Sequence, residues 1–159
     1  MKKKISKKRL TYYILAVVIL IVFLFFLIYK KNNLIDDNYL IKVSLGDCYF
    51  NLEPVSSPSG WYKGLSDREV MEKHQGMLFI FPNYKKRNFV MRGMKFPLDI
   101  IYLKDNRVVN IEQGKVLTSQ LNTLTEYKSY GEVNMVVEIR QGVADECKVT
   151  EESELIIIN

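Results

Sequence analysis

"GMLFIF" (residues 76–81) and "NFVMRGMKFPLDIIYL" (residues 88–103) are two apolar runs punctuated at short intervals by Gly, Pro and a single Asp. "MLFIF" is apolar throughout and bounded by Gly76 and Pro82. It is shorter than the roughly 11 residues of an ordinary globular helix, so it reads as a strand buried on both faces. Pro97 interrupts the second run, because a helix through it would lose a hydrogen bond and the preceding residue is driven to extended conformations. "NFVMRGM" and "LDIIYL" are therefore separate strands, preceded by "NYKKR" as a solvated basic turn.

The same reading extends outward. Tyr39, Ile41, Val43 and Leu45 alternate with Leu40, Lys42 and Ser44, the period of a strand, and Gly46-Asp47 supplies a hairpin turn. "YFNLEPV" (residues 49–55) returns as a second strand that ends, or lies at an edge, where Pro54 has no amide to donate. "SSPSG" reads as loop, with one helical turn starting at a Ser66 cap. Beyond "KDN", "RVVNIEQG" is a further strand, followed by a long polar connection from Lys115 to Gly131. In "VNMVVEIR", Val133, Met135, Val137 and Ile139 line one face and Asn134, Val136, Glu138 and Arg140 the other, and "ELIII" closes the chain. Some eight short strands with scarcely any helix predict a mostly-β domain over residues 39–159, an antiparallel sandwich or partly open barrel with one or two short helices.

The N-terminal part has a different character. "LTYYILAVVILIVFLFFLIY" (residues 10–29) runs for twenty residues with Thr11 as its only clearly polar side chain. A helix of that length spans about 30 Å, the hydrocarbon thickness of a bilayer. No small-residue cleavage site follows at Tyr29, Lys30, Lys31, Asn32 and Asn33, so an uncleaved single transmembrane helix is expected rather than a signal peptide. Six Lys and Arg in residues 1–9 and only two just after the run predict a cytoplasmic basic tail. Residues 30–38 are then a tether, and residues 39–159 lie outside the plasma membrane with lipid contacting residues 10–29.

Charge points the same way. The net +5 of the chain is concentrated before residue 32, where eight Lys and Arg stand without an acid. The remaining 15 Lys and Arg face all 18 Asp and Glu, a net −3, which disfavours nucleic acid as a partner. Cys48 and Cys147 are the only cysteines, and in an oxidising compartment the pair can form a disulfide closing almost the whole domain. Two separated cysteines and one histidine do not have metal-ligand spacing, so neither a metal nor a cofactor is expected.

Gly64-Leu65 with Arg68, then "GMLFIF", Phe89 and Met91, "PLDIIYL" and "VVEIRQG" resemble, in order and spacing, the motifs of the prokaryotic family called domain of unknown function 192. The resemblance covers roughly residues 40–158. It implies a jelly-roll-like β sandwich, often exported or membrane-anchored, and no established activity. Ser66, Val90, Arg92, Gly93 and Met94 depart from the family pattern, which alters any binding surface built on those positions.

Four residues stand out as candidates for ligand binding: Arg68, Arg92, Asp99 and Glu138. Asp99 and Glu138 are carboxylates inside apolar strands, and the two Arg are matched or nearby cations; one shared pocket is expected. Asp99, at a Pro-Leu-Asp step, is also well placed to accept from loop amides. His74 lies in the charged segment "MEKHQG" and reads as a solvated residue, and Trp61-Tyr62 reads as a partly buried aromatic pair or a sugar-stacking platform. No nucleophile elbow or phosphate-binding loop is present. The expectation is a non-catalytic cell-envelope module binding a glycan or a protein, with a carboxylate-dependent hydrolase of envelope glycans using Asp99 and Glu138 as the alternative.

Overall fold

The computed structural model describes residues 7–32, 39–116 and 125–158, which fall into two compact units, residues 1–37 and 38–159. The first is helix α1 (Lys7–Asn32), 26 residues long. It covers the twenty-residue apolar run and both flanks, so the helix includes the first part of the expected tether; residues 33–38 lie outside the described residues. The side chains of residues 15–26 are exposed. Among the described residues no helix is long and apolar enough to cross a membrane.

The second unit is mostly β. Its elements are β1 (Ile41–Leu45), β2 (Cys48–Val55), α2 (Pro58–Lys63), β3 (Gln75–Lys85), β4 (Asn88–Val90), β5 (Leu98–Lys104), β6 (Arg107–Gly114), β7 (Glu126–Lys128), β8 (Val133–Arg140), α3 (Val143–Glu146) and β9 (Ile156–Ile157). Seven strands form one sheet in the order β6-β5-β8-β3-β2-β1-β9, and β4 pairs with β7 in a second, two-stranded sheet. The large sheet curls toward closure. Val108 N donates to Ser153 O and Leu155 N to Asn106 O, so the segment leading into β9 returns to the edge strand β6. The architecture is a half-barrel, the partly open barrel among the expected alternatives, rather than a sandwich of two comparable sheets.

Four local expectations need correction. The sheet is mixed, because β2 and β3 run parallel, from Asn51 opposite Gln75 to Val55 opposite Phe79. The residues between them are long enough for the crossover a parallel pair requires. "SSPSG" is not loop: Ser57 caps α2, its side chain accepting from Gly60 N, and Pro58 opens the helix where no amide is needed. The helical turn expected at Ser66 is absent among the described residues, and residues 64–67 form a turn instead. Lastly, "NYKKR" is not wholly a turn, since β3 continues through Pro82 to Lys85. Its pairing with β8 is irregular between Ile80 and Lys85 and its pairing with β2 stops at Phe79, so Pro82 sits where the ladder demands no amide.

Two apolar clusters lie on the two faces of the large sheet. Inside the curl, Val43, Leu45, Phe50, Leu52, Leu78, Ile101, Leu103, Val137 and Ile139 pack with Val143, Ala144 and Cys147 at α3. On the outer face, Met77, Phe79, Phe81, Leu98, Ile100, Tyr102 and Val136 pack against Leu65, Met71, Met91 and Met94. The small sheet is docked there by hydrogen bonds from Tyr102 to Tyr127 O (2.7 Å) and from Asn110 to Lys128 O (3.1 Å). The strands "MLFIF", "LDIIYL" and "VNMVVEIR" are thus covered on both faces, as near-continuous apolar runs require.

Candidate functional site

The β8 strand places Glu138 opposite Ile100 and Ile139 opposite Asp99. Consecutive residues of a strand face opposite sides, so Glu138 belongs to the outer face with Ile100, and Asp99 to the interior of the curl with Ile139. The two carboxylates are back to back across the sheet and share no pocket. The expected cluster of Arg68, Asp99 and Glu138 is not formed.

Asp99 is 1% exposed, and its Oδ2 accepts from Ala144 N at 2.9 Å. Gly142, the N-cap residue of α3, has no side chain to cap the helix, and Asp99 reaches across from β5 to serve instead. Burial raises its pKa, while the Ala144 and Gly142 amides pull the other way. Arg68 is also engaged elsewhere: its guanidinium makes a two-pronged pair with Glu53 on β2, each contact 2.5 Å.

Glu138 and Arg92, by contrast, line one pocket of about 440 Å³ on the outer face. Its floor is Phe79 and Phe81 of β3 with Glu138 of β8, and its rim is Trp61 to Ser66 on one side and residues 86–94 on the other. Gly64 lets the rim close over the floor. Its φ of +49° is a conformation side chains rarely adopt, and a Cβ there would lie 3.4 Å from Phe79 and 3.8 Å from Glu138 Oε2. The positions that depart from the family pattern meet at this rim: Ser66 Oγ donates to Arg92 O at 2.8 Å, and Asp67 N donates to Gly93 O at 2.9 Å.

The electrostatics of the pocket are one-sided. Glu138 is 6% exposed, and among the described residues no hydrogen bond or ion pair reaches its carboxyl. Burial alone pushes its pKa up to about 8, so at neutral pH it is a neutral acid able to donate a hydrogen bond. The cations lining the pocket are Lys63, Lys86, Arg87 and Arg92. The guanidinium of Arg92 lies 4.0 Å above the Tyr62 ring and donates to Tyr62 O, and that of Arg87 lies 3.9 Å above the Phe81 ring. Aromatic faces, fixed cations and one protonated carboxyl suit a polar, anionic ligand with hydroxyl or carboxyl groups.

Lys63, Lys86, Arg87 and the floor phenylalanines were not singled out by the sequence. "KKR" carries the composition of a solvated turn, and Arg87 is held by a bond from its amide to Ser129 Oγ, 42 residues away, which no local pattern announces. Trp61 was visible as an aromatic beside Tyr62; its indole donates to Val55 O at 3.2 Å and its ring packs on Phe81.

No curated protein matches the chain. A solved structure from Sinorhizobium meliloti, described as a candidate transcription regulator, superposes with a TM-score of 0.65 at 22% identity, covering 75% of this chain and 94% of its own; it shows the fold alone. A protein of unknown function from Novosphingobium aromaticivorans superposes with the same TM-score at 25% identity, covering 73% of this chain and 84% of that one. Residues 41–157 match the model of the family described as "Uncharacterized ACR", and with nearly all of the β unit inside that match the chain belongs to the DUF192 family.

Proposed function

We propose that this DUF192 member is a non-catalytic, membrane-anchored binding module whose outer-face pocket takes an acidic glycan of the cell envelope. The observation that carries the binding role is Glu138, a carboxyl 6% exposed, unpaired among the described residues and opening into a pocket otherwise edged by Lys and Arg. Leaving such a group buried and unpaired costs stability, and a group of this kind is retained where a ligand uses it. The four cations match carboxylates, the Trp61 and Tyr62 rings match sugar faces, and protonated Glu138 matches a hydroxyl or carboxylate acceptor. Hydrolysis with Asp99 and Glu138 as the acid-base pair is not retained, since the two face opposite sides of the sheet and Asp99 caps α3. Support for anchoring comes from the twenty apolar residues 10–29, the basic tail before them and the 26-residue helix over them.

Trp61 is the only tryptophan and lines the pocket, so its fluorescence reports binding directly. Full-length protein in mild detergent is titrated with an oligogalacturonate and with a neutral glucan of equal length. A saturable change with the first alone, weakened about tenfold or more in Arg92→Ala, is expected from loss of one charge-assisted contact. Equal responses to both sugars, or none to either, refute the reading.

A further inference from the structure

We propose that Cys48, Cys147 and His74 form a zinc site of two thiolates and one imidazole when the Cys48–Cys147 disulfide is reduced. In sequence the two cysteines are 99 residues apart and neither has a histidine nearby, which hid the cluster. The fold gathers it. The two sulfurs form a disulfide with Cα atoms 5.4 Å apart, and an imidazole nitrogen of His74 lies within 4.8 Å of both. Ligand atoms around tetrahedral zinc stand about 3.3 to 3.8 Å apart, given Zn–S near 2.3 Å and Zn–N near 2.0 Å, so on reduction the sulfurs part while the imidazole nitrogen closes in by up to about 1.3 Å.

What holds the three residues in place does not depend on the disulfide. Cys147 N donates to Val143 O (2.9 Å), and Cys147 O accepts from Asp47 N (2.7 Å) at the tip of the β1–β2 hairpin. Gly46 makes that approach feasible, because a Cβ on it would fall 2.2 Å from Cys147 O. Asp99 fixes the start of α3 from beneath, and β1–β2 pairing fixes Cys48 opposite Leu45. His74 O accepts from Asn51 N (2.9 Å), and its ring packs against Phe50. The backbone frame of the site is therefore preformed, and only small side-chain movements of the two sulfurs and the imidazole complete it, the condition for binding at low ordering cost. Cys147 is buried, Cys48 half-buried and His74 exposed, so the fourth position opens to solvent on the histidine side. Three protein ligands with one open position are the arrangement of zinc sites that bind water or an exchangeable ligand.

The steps balance. A dithiol reductant supplies two electrons and two protons and itself becomes a disulfide, leaving two protein thiols; zinc then displaces both thiol protons to solvent as it binds two thiolates and the neutral imidazole. The test uses full-length protein in detergent, reduced with dithiothreitol, desalted under nitrogen and titrated with cobalt as the spectroscopic probe and zinc as competitor. One cobalt per chain with thiolate charge-transfer absorption is expected, absent in the disulfide form and in Cys48→Ser. His74→Ala keeps some thiolate absorption but loses affinity about tenfold or more. Zinc should also raise the melting temperature of the reduced protein, and restore its fold if reduction unfolds it. The proposal is overturned by a reduced chain that neither binds cobalt nor is refolded by zinc, by equal binding in the disulfide form, by unchanged affinity in His74→Ala, or by a disulfide that dithiothreitol does not open in the folded protein.

Discussion

Glu138 and Asp99 are both carboxyls buried in the same pair of strands, yet their surroundings assign them opposite tasks. Glu138 has nothing but apolar cover and a pocket, so its folded pKa rises from 4.5 to about 8. Below about pH 4.5 both folded and unfolded chains are protonated and burial is not penalised. Between 4.5 and about 8 the unfolded chain releases a proton that the folded chain keeps, so stability falls as pH rises, by on the order of 5 kcal/mol in all. Melting temperatures from pH 5 to 9 should show this decline in the wild type and a much flatter profile in Glu138→Gln; an unchanged slope in the variant would mean that Glu138 is not the group titrating. Asp99 caps α3, and Asp99→Ala should cost about 1 to 3 kcal/mol by leaving Ala144 N without an acceptor. Asp99→Asn, which can still accept, should recover much of that loss. Neither substitution should alter sugar titration of Trp61 fluorescence in protein that remains folded, because Asp99 faces away from the pocket.

At the scale of elements, the pocket depends on how the short strands β4 and β7 sit on the outer face. Phe89 of β4 meets Phe79 and Tyr102 edge-on, with ring centroids 5.0 and 5.9 Å away, and the Tyr102 hydroxyl donates to Tyr127 O in β7. Tyr102→Phe deletes that one bond and keeps the ring. We expect a loss of about 1 kcal/mol and faster amide exchange in residues 126–128, with β5 and β8 protected as before; uniform acceleration across all strands would show that the small sheet does not open separately. These relations also explain what could be read in advance. "MLFIF" and "LDIIYL" were legible as strands because their runs are apolar or nearly so, and "VNMVVEIR" because its apolar residues alternate at a period of two. The parallel direction of β2 against β3 was not, since nothing within either strand encodes its partner's direction. Glu138 was recognisable as an odd charge in an apolar strand, but its alternation with Val137 and Ile139 pointed only to the other face, and the small sheet and rim that bury that face come from residues 61–66, 86–94 and 126–128. Arg68 found its partner in Glu53, fifteen residues upstream in a strand whose pairing with β3 could not be foreseen.

For the whole molecule, the division of charge is the strongest statement the chain makes about its surroundings. Eight cations cluster around twenty apolar residues, while the part beyond residue 31 carries a net −3 and the pair Cys48–Cys147 forms a disulfide joining the β1–β2 hairpin to α3. A cytoplasmic glutathione pool would reduce such a bond far more readily than an oxidising exterior. Together these features support the proposed orientation, with the N-terminus inside and the β unit outside. A reporter enzyme active only outside the cytoplasm, fused after Asn159, should therefore be active in cells, and one active only in the cytoplasm should be silent at the same point. The same orientation predicts that the folded, unreduced protein resists thiol labelling at both cysteines until a reductant is added. Replacing Lys2, Lys3, Lys4, Lys7, Lys8 and Arg9 together by Gln leaves Lys30 and Lys31 as the only basic flank and should invert or scramble the fusion results. If the external reporter stays inactive while the internal one is fully active in the unaltered chain, the helix does not export the domain, and the envelope glycan reading falls with it, whereas the zinc test is unaffected because it needs only the folded β unit and a reductant.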